Sequence, residues 1–186
     1  MIYESHPWKQ DLIRRKNLIL KHNTSEYFHK NYDHTYVIIE KAIFYSAFII
    51  RKLIDCGGKL SNEADKYSLD VFSIRPLKRI DRLHRWPEDD SHDWHNEKKL
   101  SVSGKKLCNS LMHSFLFFIT LNENNVVESF FVSSDYDKNK FLYRVPLHEW
   151  VKYINFIATD NIAQLEIRYS SKYDDYILSK KRGKIK

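Results

Sequence analysis

Asn109 and His113 stand four residues apart in GKKLCNSLMHSF (104–115), so in a helix they share one face, with apolar stripes on either side. A histidine there suits general acid or base chemistry near neutral pH, and an asparagine can orient a substrate by hydrogen bonds. A second stripe lies in YVIIEKAIFYSAFIIRKLID (36–55), where Glu40, Phe44, Ala47 and Arg51 are spaced 4, 3 and 4. Charged groups on so apolar a helix pair with something or line a cleft. One reading therefore makes Arg51 the positive charge facing a phosphate or oxyanion, with Glu40 positioning it, His113 as acid or base and Asn109 as orienting group. The other makes the four a buried polar network that ties helices together, since an unpartnered buried polar group costs about 1–3 kcal/mol.

Two further clusters carry chemistry-bearing side chains. Residues 75–85 hold Arg75, Lys78, Arg79, Arg82 and Arg85 against Asp81 alone, a local charge of +4, and residues 172–186 hold another +4. The formal net charge is +7, so positive charge is concentrated in these two segments, as contacts with a phosphate backbone require. Trp86, Tyr169, Tyr173 and Tyr176 lie beside them and can stack on bases. Glu88, Asp89, Asp90 and Asp93 follow the first basic run and can neutralise it in place. The same stretch, RLHRWPEDDSHDWHNE, offers His84, His92 and His95 as metal-competent groups, without an H-E-x-x-H motif or a cysteine pair. No glycine-rich phosphate loop and no nucleophile elbow is present, and no cofactor is expected.

CNSLMH (108–113) resembles the R-N-x-x-x-H motif of HEPN-domain proteins, many of which are metal-independent ribonucleases. The resemblance covers Asn109 and His113 and departs at Cys108, where the family has arginine. It implies RNA binding with a degenerate, inactive ribonuclease-like site, or, if activity survives, metal-independent RNA cleavage across a dimer interface. The succession IEKAIFYSAFIIRKL, LCNSLMHSF, FFVSSDYDKNKFLY is similar to uncharacterised bacterial proteins of mobile gene cassettes and defence-rich regions. That implies a bacterial accessory protein and no particular activity. The competing functional class is a non-catalytic protein–protein interaction module or homodimer.

The elements that must position these residues follow from periodicity. His6-Pro7-Trp8 opens a helix with Trp8, Leu12 and Ile19 on one face, broken at Asn23-Thr24-Ser25, which can cap a short second helix. A long helix over 33–55 is apolar nearly all round and is expected to be central and buried, ended by Cys56-Gly57-Gly58. Residues 59–100 read as irregular and polar, with a short helix after Pro76 that turns Leu77, Ile80 and Leu83 inward. Ser101 or Ser103 caps a further helix running through Phe115. The period then changes to two: 115–121, 126–134 and 141–145 form a three-stranded antiparallel meander. A C-terminal helix over 147–158 and a strand-like QLEIRYS (164–170) follow. The expected class is α+β, one domain over 1–178 with a flexible basic tail over 179–186.

Composition sets the outer bounds. The 186 residues are 42% hydrophobic and 15% aromatic with only 4 Gly and 4 Pro, enough for a core and too few for long linkers. Two cysteines make no disulfide framework. The opening MIYESHPWKQDLIRRKN is charged, and AIFYSAFII (42–50) is too short to span a bilayer, so no membrane partner and a cytoplasmic location are expected.

Overall fold

The computed structural model describes residues 2–183. The fold is α+β: helices pack on one face of a five-stranded antiparallel sheet, and a separate two-stranded hairpin follows. The first helix, α1 (His6–His22), buries Leu12 and Ile19, and α2 (Ser25–Lys30) starts where the Thr24 hydroxyl accepts the Tyr27 N–H. The long helix α3 (Tyr32–Asp55) is capped by Asn31, whose side chain accepts the His34 N–H, and it stops before Gly57 and Gly58, both at positive φ. It is central but not buried all round. Ile39, Ile43, Ala47, Ile50 and Leu53 face the core, whereas Val37, Tyr45 and Phe48 remain exposed.

The single-turn helix α4 (Asn62–Asp65) leads into β1 (Ser68–Ile74), and β2 (Lys98–Ser103) pairs with it antiparallel. These two strands lie where the sequence reads as irregular. Next come α5 (Gly104–Met112), β3 (Ser114–Leu121), β4 (Val127–Ser134), β5 (Leu142–Pro146) and α6 (Leu147–Ala158). The sheet therefore has five strands, ordered β2-β1-β5-β4-β3, in place of the expected three-stranded meander, because β1 and β2 add to the edge of β5. Ser103 is the cap of α5, its hydroxyl accepting the Lys106 N–H. The helix ends at Met112 with His113 as C-cap and does not run through Phe115, because β3 begins at Ser114.

Strand alternation divides the core in two. Leu69, Val71, Phe130, Val132, Tyr143 and Val145 point toward the helices and join Trp150, Tyr153 and Ile50 in the main core. Ile74, Leu116, Phe131 and Leu142 point the other way and meet Ile80 and Trp94 from the long β1–β2 connection, which crosses the outer face of the sheet. No helix forms after Pro76. Ile80 is buried there as expected, but Leu77 and Leu83 are exposed.

The last elements are β6 (Ile162–Ser170) and β7 (Asp175–Arg182), an antiparallel hairpin, so α6 is not the expected C-terminal helix and the described chain ends in strands. Lys180, Lys181 and Arg182 are therefore strand residues, which corrects the expectation of a flexible tail from 179, while the expected tail residues Lys184 and Lys186 lie outside the described residues. The hairpin base is fastened by Lys180 to Asp65 (2.7 Å), by Arg182 to buried Asp160 (3.4 Å) and by Arg182 stacked on Phe156. Asp160 also accepts the Ser61 N–H and O–H at 2.7 Å each, so α4, α6 and β7 converge on one carboxylate. Among the described residues no helix is long and apolar enough to cross a membrane.

Candidate nucleic-acid interface

The packing of α3 against α5 brings two of the four polar candidates together. Arg51 Nε donates to Asn109 Oδ1 at 2.6 Å, and the same guanidinium pairs with Asp55 one turn on. Glu40 is not its partner: eleven residues of helix separate them, about 16 Å along the axis. Glu40 is half-buried, and that burial raises its carboxyl pKa against the opposing pull of Lys41. His113 is exposed at the end of α5 and stands outside the Arg51–Asn109 bond, although its carbonyl accepts the Asp135 N–H. Of the four candidates, Arg51 and Asn109 are the pair that bond directly, and neither Glu40 nor His113 shares a side-chain hydrogen bond with them among the described residues. What remains is an Asp55–Arg51–Asn109 chain that joins two helices.

Cys108 carries no charge of its own into this pair. It is fully buried beside Tyr153, and burial pushes its thiol far above the usual cysteine range, so it stays protonated and unreactive.

The basic segment has a different character. The β1–β2 connection is pinned by main-chain bonds: Leu77 N–H to Ser91 C=O at 2.9 Å, and Asp93 N–H to Arg75 C=O at 2.9 Å. The Ile80 N–H is received by Asn139 Oδ1 at 2.7 Å, and Trp94 packs edge-on against Phe131. These contacts fix the connection to the sheet and direct its cations outward: Arg75, Lys78, Arg79, Arg82 and Arg85 are all exposed. Lys78 pairs with Asp90, and Asp81 is engaged by His84. Arg75, Arg79, Arg82 and Arg85 form no ion pair among the described residues, so the acidic run neutralises the segment only in part.

Trp86 sits among these charges at 72% exposure. A cleft of about 290 Å³ on one side of it is lined by Lys78, Arg79, Asp81, His84 and Glu88. Another of about 230 Å³ on its other side is lined by Arg85, Pro87 and residues 114–118. Phe115 and Phe118 thereby become walls of a surface cleft. Their part in it is not legible from the sequence, because it depends on the connection folding back over β3.

The three histidines offered as metal ligands are dispersed. His84 binds Asp81 at 3.0 Å, and His95 is exposed. His92 is buried with Nδ1 at 2.8 Å from the Ser91 hydroxyl, and burial lowers its pKa and keeps it neutral. Among the described residues no three His, Cys, Asp or Glu side chains are arranged to hold a metal ion.

No family model matches this chain, and neither a curated protein nor a solved structure is similar to it.

Proposed function

We propose that the protein binds single-stranded RNA, without cleaving it, through the β1–β2 connection. The observation that carries this reading is Trp86, solvated between two clefts whose walls include Arg79 and Arg85, neither of which has an acidic partner among the described residues. An exposed indole offers a face to a base, and stacking of this kind is worth about 1–3 kcal/mol per base irrespective of sequence. The guanidinium groups of Arg79, Arg82 and Arg85 supply the charge that a phosphate backbone needs, with the planar geometry suited to it. No side-chain hydrogen bond joins His113 to Arg51 or Asn109 among the described residues, and the resemblance to ribonucleases extends in this reading to RNA binding alone.

The test is a titration of a fluorescently labelled single-stranded RNA at low salt, read by anisotropy. Trp86→Ala is expected to weaken binding by roughly 5- to 100-fold with no change in melting temperature, and the RNA to remain intact on a gel. Equal affinity of Trp86→Ala and wild type would sink the proposal. A second reading, a homodimer, is favoured by one specific observation, the solvated apolar face of the β6–β7 hairpin.

A further inference from the structure

Strands at the edge of a sheet expose unpaired backbone groups and are normally guarded against pairing with another chain. Both edges of the five-stranded sheet are guarded. On β2, Lys98 and Lys99 stand at the rim, Lys99 bridged to Asp70 at 2.8 Å. On β3, register shifts near Ser114 and Thr120 bend the strand, and the Ile119 N–H is occupied by the Tyr36 hydroxyl at 3.1 Å.

The hairpin differs. Its strand β7 leans on α4 and carries both anchoring ion pairs, which leaves β6 as the outer strand. Over its nine residues, IAQLEIRYS, β6 has no Lys and no Pro. Register places Ile167 opposite Leu178 and Tyr169 opposite Tyr176, so these four and Leu165 share one face. That face is solvated: Leu165 is 52% exposed, Ile167 61%, Tyr169 52%, Tyr176 64% and Leu178 38%. A lone two-stranded hairpin is marginal in water, and further strands are what make such a unit stable.

The residues of β6 also specify which chain can be added. Read outward from Ile167 in both directions, the strand gives Glu166 and Arg168, then Leu165 and Tyr169, then Gln164 and Ser170. An antiparallel copy of the same strand centred on Ile167 therefore sets Glu166 against Arg168 of the second copy, twice, on the polar face. On the apolar face it sets Leu165 against Tyr169 of the second copy and the two Ile167 side chains against each other. In β7 a centre at Leu178 sets Tyr176 against Lys180, and this strand also carries the Lys180 and Arg182 pairs that fasten it to the rest of the fold. We infer that two copies of this chain associate about a two-fold axis at Ile167, joining β6 to β6 into a four-stranded sheet ordered β7-β6-β6-β7. This is an isologous contact, closed by symmetry, and it uses none of the residues of the proposed RNA interface.

Sedimentation of the full chain over a micromolar concentration range tests the inference. The wild type is expected to approach twice 22.4 kDa. Glu166→Arg or Arg168→Glu alone places two like-charge pairs at the junction and is expected to weaken association by roughly tenfold or more. The double variant E166R/R168E restores opposite charges and is expected to return association to near the wild-type level. Both side chains are exposed, so thermal melting at a concentration where the wild type is monomeric serves as the folding control. A wild type that stays at 22.4 kDa throughout overturns the inference. So does a dimer that the single substitutions leave unchanged, or one weakened by them that the double variant fails to rescue.

Discussion

A methyl group at position 104 would overlap the phenol end of Tyr153, at both its Cζ and its hydroxyl, because that buried side chain lies against the Gly104 backbone. Gly104 opens α5, its N–H is received by the Tyr67 carbonyl at 2.8 Å, and Tyr67 stacks on Tyr153. The glycine is required here by close approach and not by an unusual φ. Gly104→Ala forces either the ring or the helix start to move, and overpacking of this kind costs about 1–3 kcal/mol. A thermal melt is expected to fall by roughly 2–4 °C per kcal/mol for a chain of this size, and an unchanged melt would show that Tyr153 is free to swing aside. The same scale separates Asn109 from His113. Helical spacing alone puts them on one face, yet Asn109 bonds Arg51 while His113 stands in solvent, because α5 ends between them. The end of a helix is a weak signal in a sequence whose next residues, Ser-Phe-Leu-Phe, suit either state.

At the level of elements, the β4–β5 turn is tied to α5 by a buried carboxylate. Asp137 receives Lys106, lies 3.7 Å from Lys140 and accepts the Ser134 hydroxyl at 3.1 Å. Burial acts to raise its pKa, but these partners outweigh it and hold the carboxyl below its ordinary value. A carboxyl depressed in the folded state contributes stability that is fully present above its unfolded pKa of about 3.9 and is lost as pH falls through the lower folded value. Asp137→Asn is thus expected to cost about 1–3 kcal/mol at neutral pH. The gap between its denaturation midpoint and that of wild type should narrow as pH drops from 5 toward 3, and a gap independent of pH would exclude this role. At this scale periodicity serves well for α1, α3, α6 and the single strands β3, β4 and β5, whose apolar positions repeat strongly, though not for the five-stranded sheet that they join. It does not reveal β1 and β2, which bury only alternate or isolated residues and carry Asp70, Lys98 and Lys99 on their exposed sides. Nor does it reveal β7, whose residues 179–182, SKKR, read as the start of a basic tail.

For the whole molecule, the two concentrations of positive charge have different fates. In the C-terminal one, Lys180 and Arg182 are spent on Asp65 and Asp160 and secure the hairpin, which leaves them little to offer a polyanion. In the β1–β2 connection the arginines remain available. With four or five phosphate contacts from that segment, the logarithm of the RNA affinity is expected to fall with the logarithm of salt concentration at a slope of roughly −3, and a flat response in the same anisotropy titration would rule out phosphate contacts. Charge density alone could not separate the segments, since both sum to +4. The sequence by itself determined the α+β class, the long central helix and a serine cap at 101 or 103, because propensity, period and capping are local properties of the chain. The tertiary structure decided what lies outside that reach: that Arg51 meets Asn109 and not Glu40, that the histidines stay apart, and that Trp86 stands between two clefts. It also decided that β6 is left as a free edge. The physical reason is the same in each case. Partners of polar and aromatic side chains are set by contacts between residues far apart in sequence, and those exist only once the sheet and its long connection have closed on one another.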